Sequence, residues 1–340
     1  MGGQLDLFGA PPETVTAAVD ADERSLAERL PSWIRFGTSS WSFPGWTRVW
    51  GGTPSAEALA KNGLRAYATH PLFRTVGLDR SYYAPLRDED LAGYREQLDA
   101  AENETKGRPR FRVVSKVWEE ITTAVFPNHP RYGARAGETN PNFLDAVRFV
   151  DEVLGPYQRQ FEKYAGPFLF ELTPMPRGTF DGRVLARRID TFLSRIAAAP
   201  GASAFRWSFE LRNEELLGPS WFDVLASHGA AHVFNFWTAM PSLRVQLARP
   251  RAMSTRFVVT RLMLPPYSRY ELKMSEFAPF DRLAEVQPEM RDDVLYLLRA
   301  AAEMACDEAF VIANNKAEGS SPLTVRALAE RAVKELVRTT

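Results

Sequence analysis

Short apolar runs of β type alternate along the chain with longer segments of helical period. The runs are Ile34 to Ser39, Phe73 to Asp79, Phe111 to Lys116, Pro167 to Leu172, Phe205 to Leu211, Ala231 to Phe236, Arg256 to Leu262 and Glu308 to Asn314. Val, Ile and Phe fill their interiors, as in strands buried on both faces. Between them apolar residues return at three- and four-residue intervals over residues 55–68, 89–102, 142–164, 182–199, 220–229, 291–305 and 322–337. Eight successive β/α units predict a parallel sheet closed into a (β/α)8, or TIM, barrel, with a doubly wound open sheet as the alternative. The sixth unit is the least regular, with room only for a short helix between Thr238 and Ser254.

Residues 1–31 break this rhythm. They are rich in Gly, Pro, Ala, Thr and acids, with one weak helical stretch from Asp22 to Leu30, and read as a flexible tail ahead of a barrel domain over 32–340.

A barrel of this kind builds its active site at the C-terminal ends of the strands. The run ends carry Thr38 and Ser39, Asp79 and Arg80, Lys116, Glu171, Glu210 and Arg212, Asn235, Arg261, and Asn314 and Asn315 followed by Lys316. Polar ends on apolar strands predict a charged mouth, because isolated buried charges cost several kcal/mol unless they pair or serve a ligand. Salt bridges of purely structural value are the competing reading. Aromatic residues flank the mouth in sequence: Trp41, Phe43, Trp46 and Trp50 after the first run, Tyr82 and Tyr83 after the second. They either stack on a ligand or plug one loop against its neighbour.

Composition narrows the chemistry. Lys plus Arg number 42 and Asp plus Glu number 42, so no global field steers the protein toward a polyanion. Local excesses of base remain, one from Leu243 to Lys273 and a smaller one over Lys106, Arg108, Arg110, Arg112 and Lys116. The single cysteine, Cys306, excludes an internal disulfide. There is no leader-like N-terminus and no apolar run of the roughly 18 residues a membrane span needs, so a cytoplasmic protein without a membrane partner is expected. The four histidines stand away from the run ends, which argues against a polyhistidine zinc site. Mg²⁺ or Mn²⁺ held by Asp79, Glu171 and Glu210 is admitted. With no Gly-rich phosphate loop, no nucleotide cofactor is expected.

Carboxylates with anion-clamping cations suit a phosphate ester better than a neutral sugar. A glycosidase of the common barrel plan would take its second carboxylate from strand seven, where Arg261 stands. The expected roles are catalytic for Glu171, Glu210 and Lys116. Arg212, Arg261, Asn314, Asn315, Trp41, Tyr82 and Tyr83 are expected to bind substrate.

Two resemblances extend this reading. Gln4-Leu5-Asp6-Leu7-Phe8 resembles the peptide by which bacterial polymerases and repair factors dock on the β sliding clamp, with Leu7 and Phe8 as apolar anchors and Gln4 as the polar end. The barrel, through Gly37 to Trp46, Thr75 to Tyr83, Phe111 to Thr122, Gly166 to Pro174, Phe209 onward with Trp221, and Phe310 to Leu328, resembles the YecE-like family, number seventy-two among the domains of unknown function. That resemblance implies a TIM barrel and no settled activity. Gly77 stands where the family usually has Glu, Glu171 where it has Gln, and Thr123 where it has His. The expected function is a clamp-associated barrel of DNA replication or repair, with DNA as a partner and metal-assisted phosphodiester hydrolysis at the mouth. The alternatives are a non-catalytic clamp or nucleic-acid adaptor, and a small-molecule or sugar-ester hydrolase unrelated to DNA.

Overall fold

Residues 14–336 are described in a computed structural model of the chain. The strands are β1 Ile34–Thr38, β2 Thr75–Leu78, β3 Arg112–Lys116, β4 Ala165–Glu171, β5 Trp207–Glu210, β6 Ala231–Phe236, β7 Phe257–Leu262 and β8 Glu308–Ala313. They pair in sequence order and close as a parallel barrel, β1 against β8 from Ile34 opposite Ala309 to Thr38 opposite Ala313. All eight expected runs are strands, with ends that differ from the runs by at most two residues: β6 matches its run and β4 begins two residues earlier, at Ala165.

The two-residue period of a strand separates two cores. Val114, Leu169, Ala231, Val233, Phe257, Val259, Phe310 and Ile312 form a cluster of their own, the barrel interior. The alternate residues face the helices: Phe168, Phe170 and Trp207 meet Phe149, Phe170 also meets Phe192, and the Phe170 and Phe209 rings stack 4.5 Å apart. The surrounding helices include Ala56–Thr69, Asp88–Glu104, Gly182–Ala197, Pro219–Ser227, Pro288–Glu303 and Ser321–Leu336. The irregular sixth unit holds the short helix Leu243–Leu247, capped by Ser242.

Two segments depart from expectation. The helix anticipated over 142–164 is broken into Ala146–Arg148, a π-helical turn Phe149–Leu154, and Gly155–Gln160. Pro156 has no amide hydrogen for the carbonyl four residues back, and a π turn absorbs such a mismatch. The second departure is in the tail: the helical stretch expected there is the helix Ala21–Arg29, closed by a reciprocal capping box between Asp20 and Glu23, but it packs on the barrel. Leu26, Ala27 and Leu30 join the core, and Arg326 of the final helix reaches Asp20 and Glu23. Earlier still, the amide of Ala18 donates to the Val49 carbonyl and that of Gly51 to the Thr16 carbonyl. Packing on the barrel thus includes Thr16 and Ala18, well before Pro31. Gln4, Leu5, Asp6, Leu7 and Phe8 lie outside the described residues. Among the described residues no helix is long and apolar enough to cross a membrane.

Candidate functional site

Two positions beyond the inward-facing residues, each strand delivers a polar side chain at the C-terminal mouth: Ser39, Asp79, Lys116, Glu171, Glu210, Asn235, Arg261 and Asn314. Register places Glu171 opposite Glu210 and Asn235 opposite Arg261 on neighbouring strands. Two buried carboxylates side by side would repel strongly, and the cations around them remove that cost.

Arg261 lies at the centre. Its Nη1 donates to Glu171 Oε2 at 2.6 Å and to Glu210 Oε2, and its Nη2 stands 3.8 Å from Asp79. Arg212 places Nε 2.8 Å from Glu210 Oε1 and Nη2 2.8 Å from Glu171 Oε2, with its guanidinium 4.1 Å from the Trp237 ring centre. Lys116 donates to Glu171 Oε2 at 2.9 Å while its ammonium sits 3.9 Å from the Tyr82 ring centre. Asn235 ties the set to the backbone, donating to the Leu211 carbonyl at 2.8 Å. Glu210 has no exposure and Arg261 almost none, whereas the Asp79 side chain is 39% exposed.

This arrangement fixes the protonation states. Burial would raise the Glu171 carboxyl, but Arg212, Lys116 and Arg261 outweigh it and hold the group well below the usual carboxylate range. Glu210 is lowered likewise against its burial, through Arg261 and Arg212. Burial acts against the Arg261 charge too, and the two glutamates and Asp79 more than reverse it. Glu171 and Glu210 are held as anions at neutral pH with their oxygens engaged by cations, which leaves them poor general bases and poor metal ligands. The metal set expected from Asp79, Glu171 and Glu210 does not fit a divalent cation: Arg261 occupies the space among them, and no group of three or more His, Cys, Asp or Glu among the described residues is placed to hold a metal.

Lys316, named at the end of the eighth run but given no role there, completes the mouth. It follows β8 on the short helix Asn315–Glu318, which Asn314 caps. Its ammonium is 4.2 Å from the Tyr270 ring centre and 3.7 Å from Met274 Sδ. Both partners come from the helix Tyr270–Phe277, a stretch with no clear helical period. Burial lowers the Lys316 amine to about 8, with Asp79 opposing and Arg261 assisting the shift.

Other expected binders are placed otherwise. Trp41 is buried and packs edge-on against Tyr94, so it serves the fold rather than the mouth. Phe43, Trp46 and Trp50 form a plug with Phe280. Tyr82 is buried, its hydroxyl 3.0 Å from Thr173 and its ring under Lys116, which makes it a platform for that cation. Tyr83 is 62% exposed beside Arg131 and remains accessible. Asn314 donates to Ser39 at 2.7 Å, and Asn315 accepts from Trp46 and from Ser321. Both asparagines therefore buttress loops.

The expected basic stretch around strand seven is dispersed. Arg244 pairs with Asp293, Arg251 with Asp223, Arg256 with Asp307, and Lys273 with Glu276 and Glu285. A cavity of about 630 Å³ opens at the other end of the barrel, lined in part by Arg24, Arg74, Lys106 and Arg108. Its one deeply placed cation, Arg74, spreads its guanidinium over the carbonyls of Ala27, Leu30, Pro31 and Ile34, so the mouth, with its unmatched amine, carries the stronger case for chemistry.

Comparison with known proteins bears on the same barrel. Residues 35–339 match the family described as protein of unknown function DUF72. A DUF72 family protein from Enterococcus faecalis V583 is 15% identical, with a TM-score of 0.59 over 88% of this chain and 95% of that one. One from Thermotoga maritima MSB8 is 13% identical, with a TM-score of 0.52 over 89% and 99%. At these identities the likeness concerns the fold. No curated protein matches the chain.

Proposed function

The chain belongs to the DUF72 family, whose function is unassigned, and on that premise we propose that its barrel mouth binds a phosphate ester and hydrolyses it. The observation that carries the reading is the buried set of Lys116, Arg212 and Arg261 fixed by Glu171 and Glu210. Cations already held in place lose little freedom when they meet an anion, and in a water-poor site their attraction for developing charge is large. Lys116 and Arg212 would take the phosphate oxygens. Asp79, the most exposed carboxylate of the set, would accept a proton from the attacking water, whose oxygen forms the new P–O bond as the ester P–O bond breaks. The departing alkoxide takes its proton from solvent. Tyr83 and Tyr270 offer rings at the rim for the organic part.

Recruitment to the sliding clamp through Gln4 to Phe8 belongs to the same proposal, and places the protein in the cytoplasm with DNA as a partner. In its support, Thr16 and Ala18 join the loop after β1, on the mouth side of the barrel. A peptide leading into that point would bring a clamp, with its DNA, to the phosphate site. A second reading, an adaptor that holds an anion without turnover, draws on the saturation of Glu171 and Glu210.

Turnover of bis(p-nitrophenyl) phosphate, p-nitrophenyl phosphate and a single-stranded oligonucleotide by the full chain, in EDTA and in Mg²⁺, tests both readings. Hydrolysis inhibited by inorganic phosphate and lost in Lys116→Met supports the first. Phosphate binding without hydrolysis supports the adaptor, and neither binding nor hydrolysis removes both.

A further inference from the structure

Among the described residues, Lys316 is the mouth cation that the ion-pair network leaves out. Lys116, Arg212 and Arg261 each lie within 4 Å of a carboxylate oxygen. The Lys316 ammonium, 6% exposed for the residue as a whole, has a thioether and a tyrosine ring instead. The groups facing it are few and come from three directions: Asp79 from the end of β2, Arg261 from β7, and Tyr270 with Met274 from the helix that covers it. A structural lysine is normally paired or extended into water. Burial lowers this amine, with Asp79 opposing and Arg261 assisting, and a buried amine without a salt-bridge partner is how lysines are made nucleophilic, because burial favours the uncharged form.

We propose that Lys316 is a nucleophile that forms an imine with an aldehyde or ketone carrying a phosphate group. The inference rests on the phosphate-binding reading of the mouth and names the substrate class for it. The Nζ lone pair attacks the carbonyl carbon to give a carbinolamine. The C–N double bond then forms as the former carbonyl oxygen leaves as water, carrying both protons of the neutral amine. No redox partner is needed. The phosphate engages Lys116 and Arg212, which orients the carbonyl toward the last strand. Burial that brings the amine down to about 8 leaves roughly a tenth of it free at pH 7, against well under a hundredth for an ordinary lysine.

The test is reductive trapping. The full chain is incubated with glyceraldehyde 3-phosphate and sodium cyanoborohydride at pH 7.5, and adducts are mapped by peptide mass spectrometry, with exposed Lys61 as the internal reference. The expected result is labelling of Lys316 at least about 10-fold faster than Lys61, in keeping with its larger free-amine fraction. Inorganic phosphate should slow it, and Lys116→Met should slow it while leaving Lys61 labelling unchanged. Unphosphorylated glyceraldehyde separates the two layers. Preferential labelling of Lys316 that ignores both the phosphate group and Lys116 sustains the nucleophile and removes the phosphate-bearing substrate. Phosphate binding at the mouth with Lys316 labelled no faster than Lys61 overturns the nucleophile and leaves the phosphate reading standing. Because the wild-type chain carries the decisive comparison, a variant that fails to fold does not obscure the outcome.

Discussion

Arg261 holds Glu210 and Glu171 together through a single guanidinium nitrogen, bridging two adjacent strands from the far side of the barrel mouth. Paired, the three charges offset each other's desolvation. Unpaired, any one of them is a buried ion without compensation. Arg261→Met therefore leaves two abutting carboxylates short of a cation, and the expected loss is about 3–5 kcal/mol in urea unfolding at pH 7. A loss under about 1 kcal/mol would mean that water or Arg212 already satisfies the glutamates, and the rigid clamp assigned to the mouth would go with it.

His232, on β6 between the strands of Glu210 and Arg261, sets a pH dependence of its own. It is buried between Trp221, Phe222 and Phe234, accepts from the Trp221 indole at 3.3 Å and contacts Gln246 at 3.2 Å. Burial lowers it from 6.5 to about 4, against the pull of Gln246 and Glu210. The unfolded chain thus binds this proton more readily than the folded one between those values, and stability falls as pH drops from 6.5 toward 4. From pH 7 to pH 5 the loss through this residue is about 2 kcal/mol. Urea midpoints of the wild type and His232→Phe at the two pH values check it: the variant should lose that slope, and equal slopes would show that His232 is not held neutral.

Glu171 and Glu210 act over a lower window. Their folded carboxyls are depressed, so their contribution is complete above the ordinary carboxylate value and disappears as pH falls beneath it. Glu171→Gln should flatten the acid unfolding curve below about pH 4.5 while leaving the slope between pH 7 and 5 unchanged. A variant whose acid limb coincides with that of the wild type counts against the ionised pair.

Why the barrel was legible in sequence, and part of its site was not, follows from range. Strands buried on both faces must be apolar along their length, so runs such as Ala231–Phe236 announce themselves, and the period of two carries the eye from Val259 to Arg261 and from Leu169 to Glu171. Partners across the barrel leave no such trace. Asp293 and Asp307 neutralise Arg244 and Arg256 from far along the chain, which is why a basic stretch in sequence is no basic surface in space. Trp41 and Tyr83 are both aromatics on mouth loops, yet only packing tells the buried one from the exposed one. Lys316 was in plain view one residue past Asn315, but its isolation depends on Tyr270 and Met274, whose helix has no period to reveal it.

The contrast between the two aromatics can be measured. Trp41 fills space against Tyr94 and the helix bearing Gly63, so Trp41→Ala should cost about 3–5 kcal/mol in unfolding. Tyr83→Ala removes a side chain in contact with water and should change stability by no more than about 0.5 kcal/mol while weakening ligand binding at the mouth. A destabilised Tyr83→Ala, or a silent Trp41→Ala, would reverse the assignment of plug and rim.

The clamp peptide makes a prediction that the barrel can neither help nor hinder. Asp20 with Glu23 caps the first helix and Arg326 secures it, contacts made wholly within the described residues. Deleting Met1 to Gly9 should leave the melting temperature unchanged and abolish retention on immobilised bacterial sliding clamp. Leu7→Ala with Phe8→Ala should do the same, because apolar anchors supply most of the energy of a short linear peptide. Retention unaffected by either change removes the recruitment proposal and leaves the mouth chemistry intact. A drop in melting temperature on deletion would show instead that Leu5, Leu7 and Phe8 pack on the barrel as part of the fold.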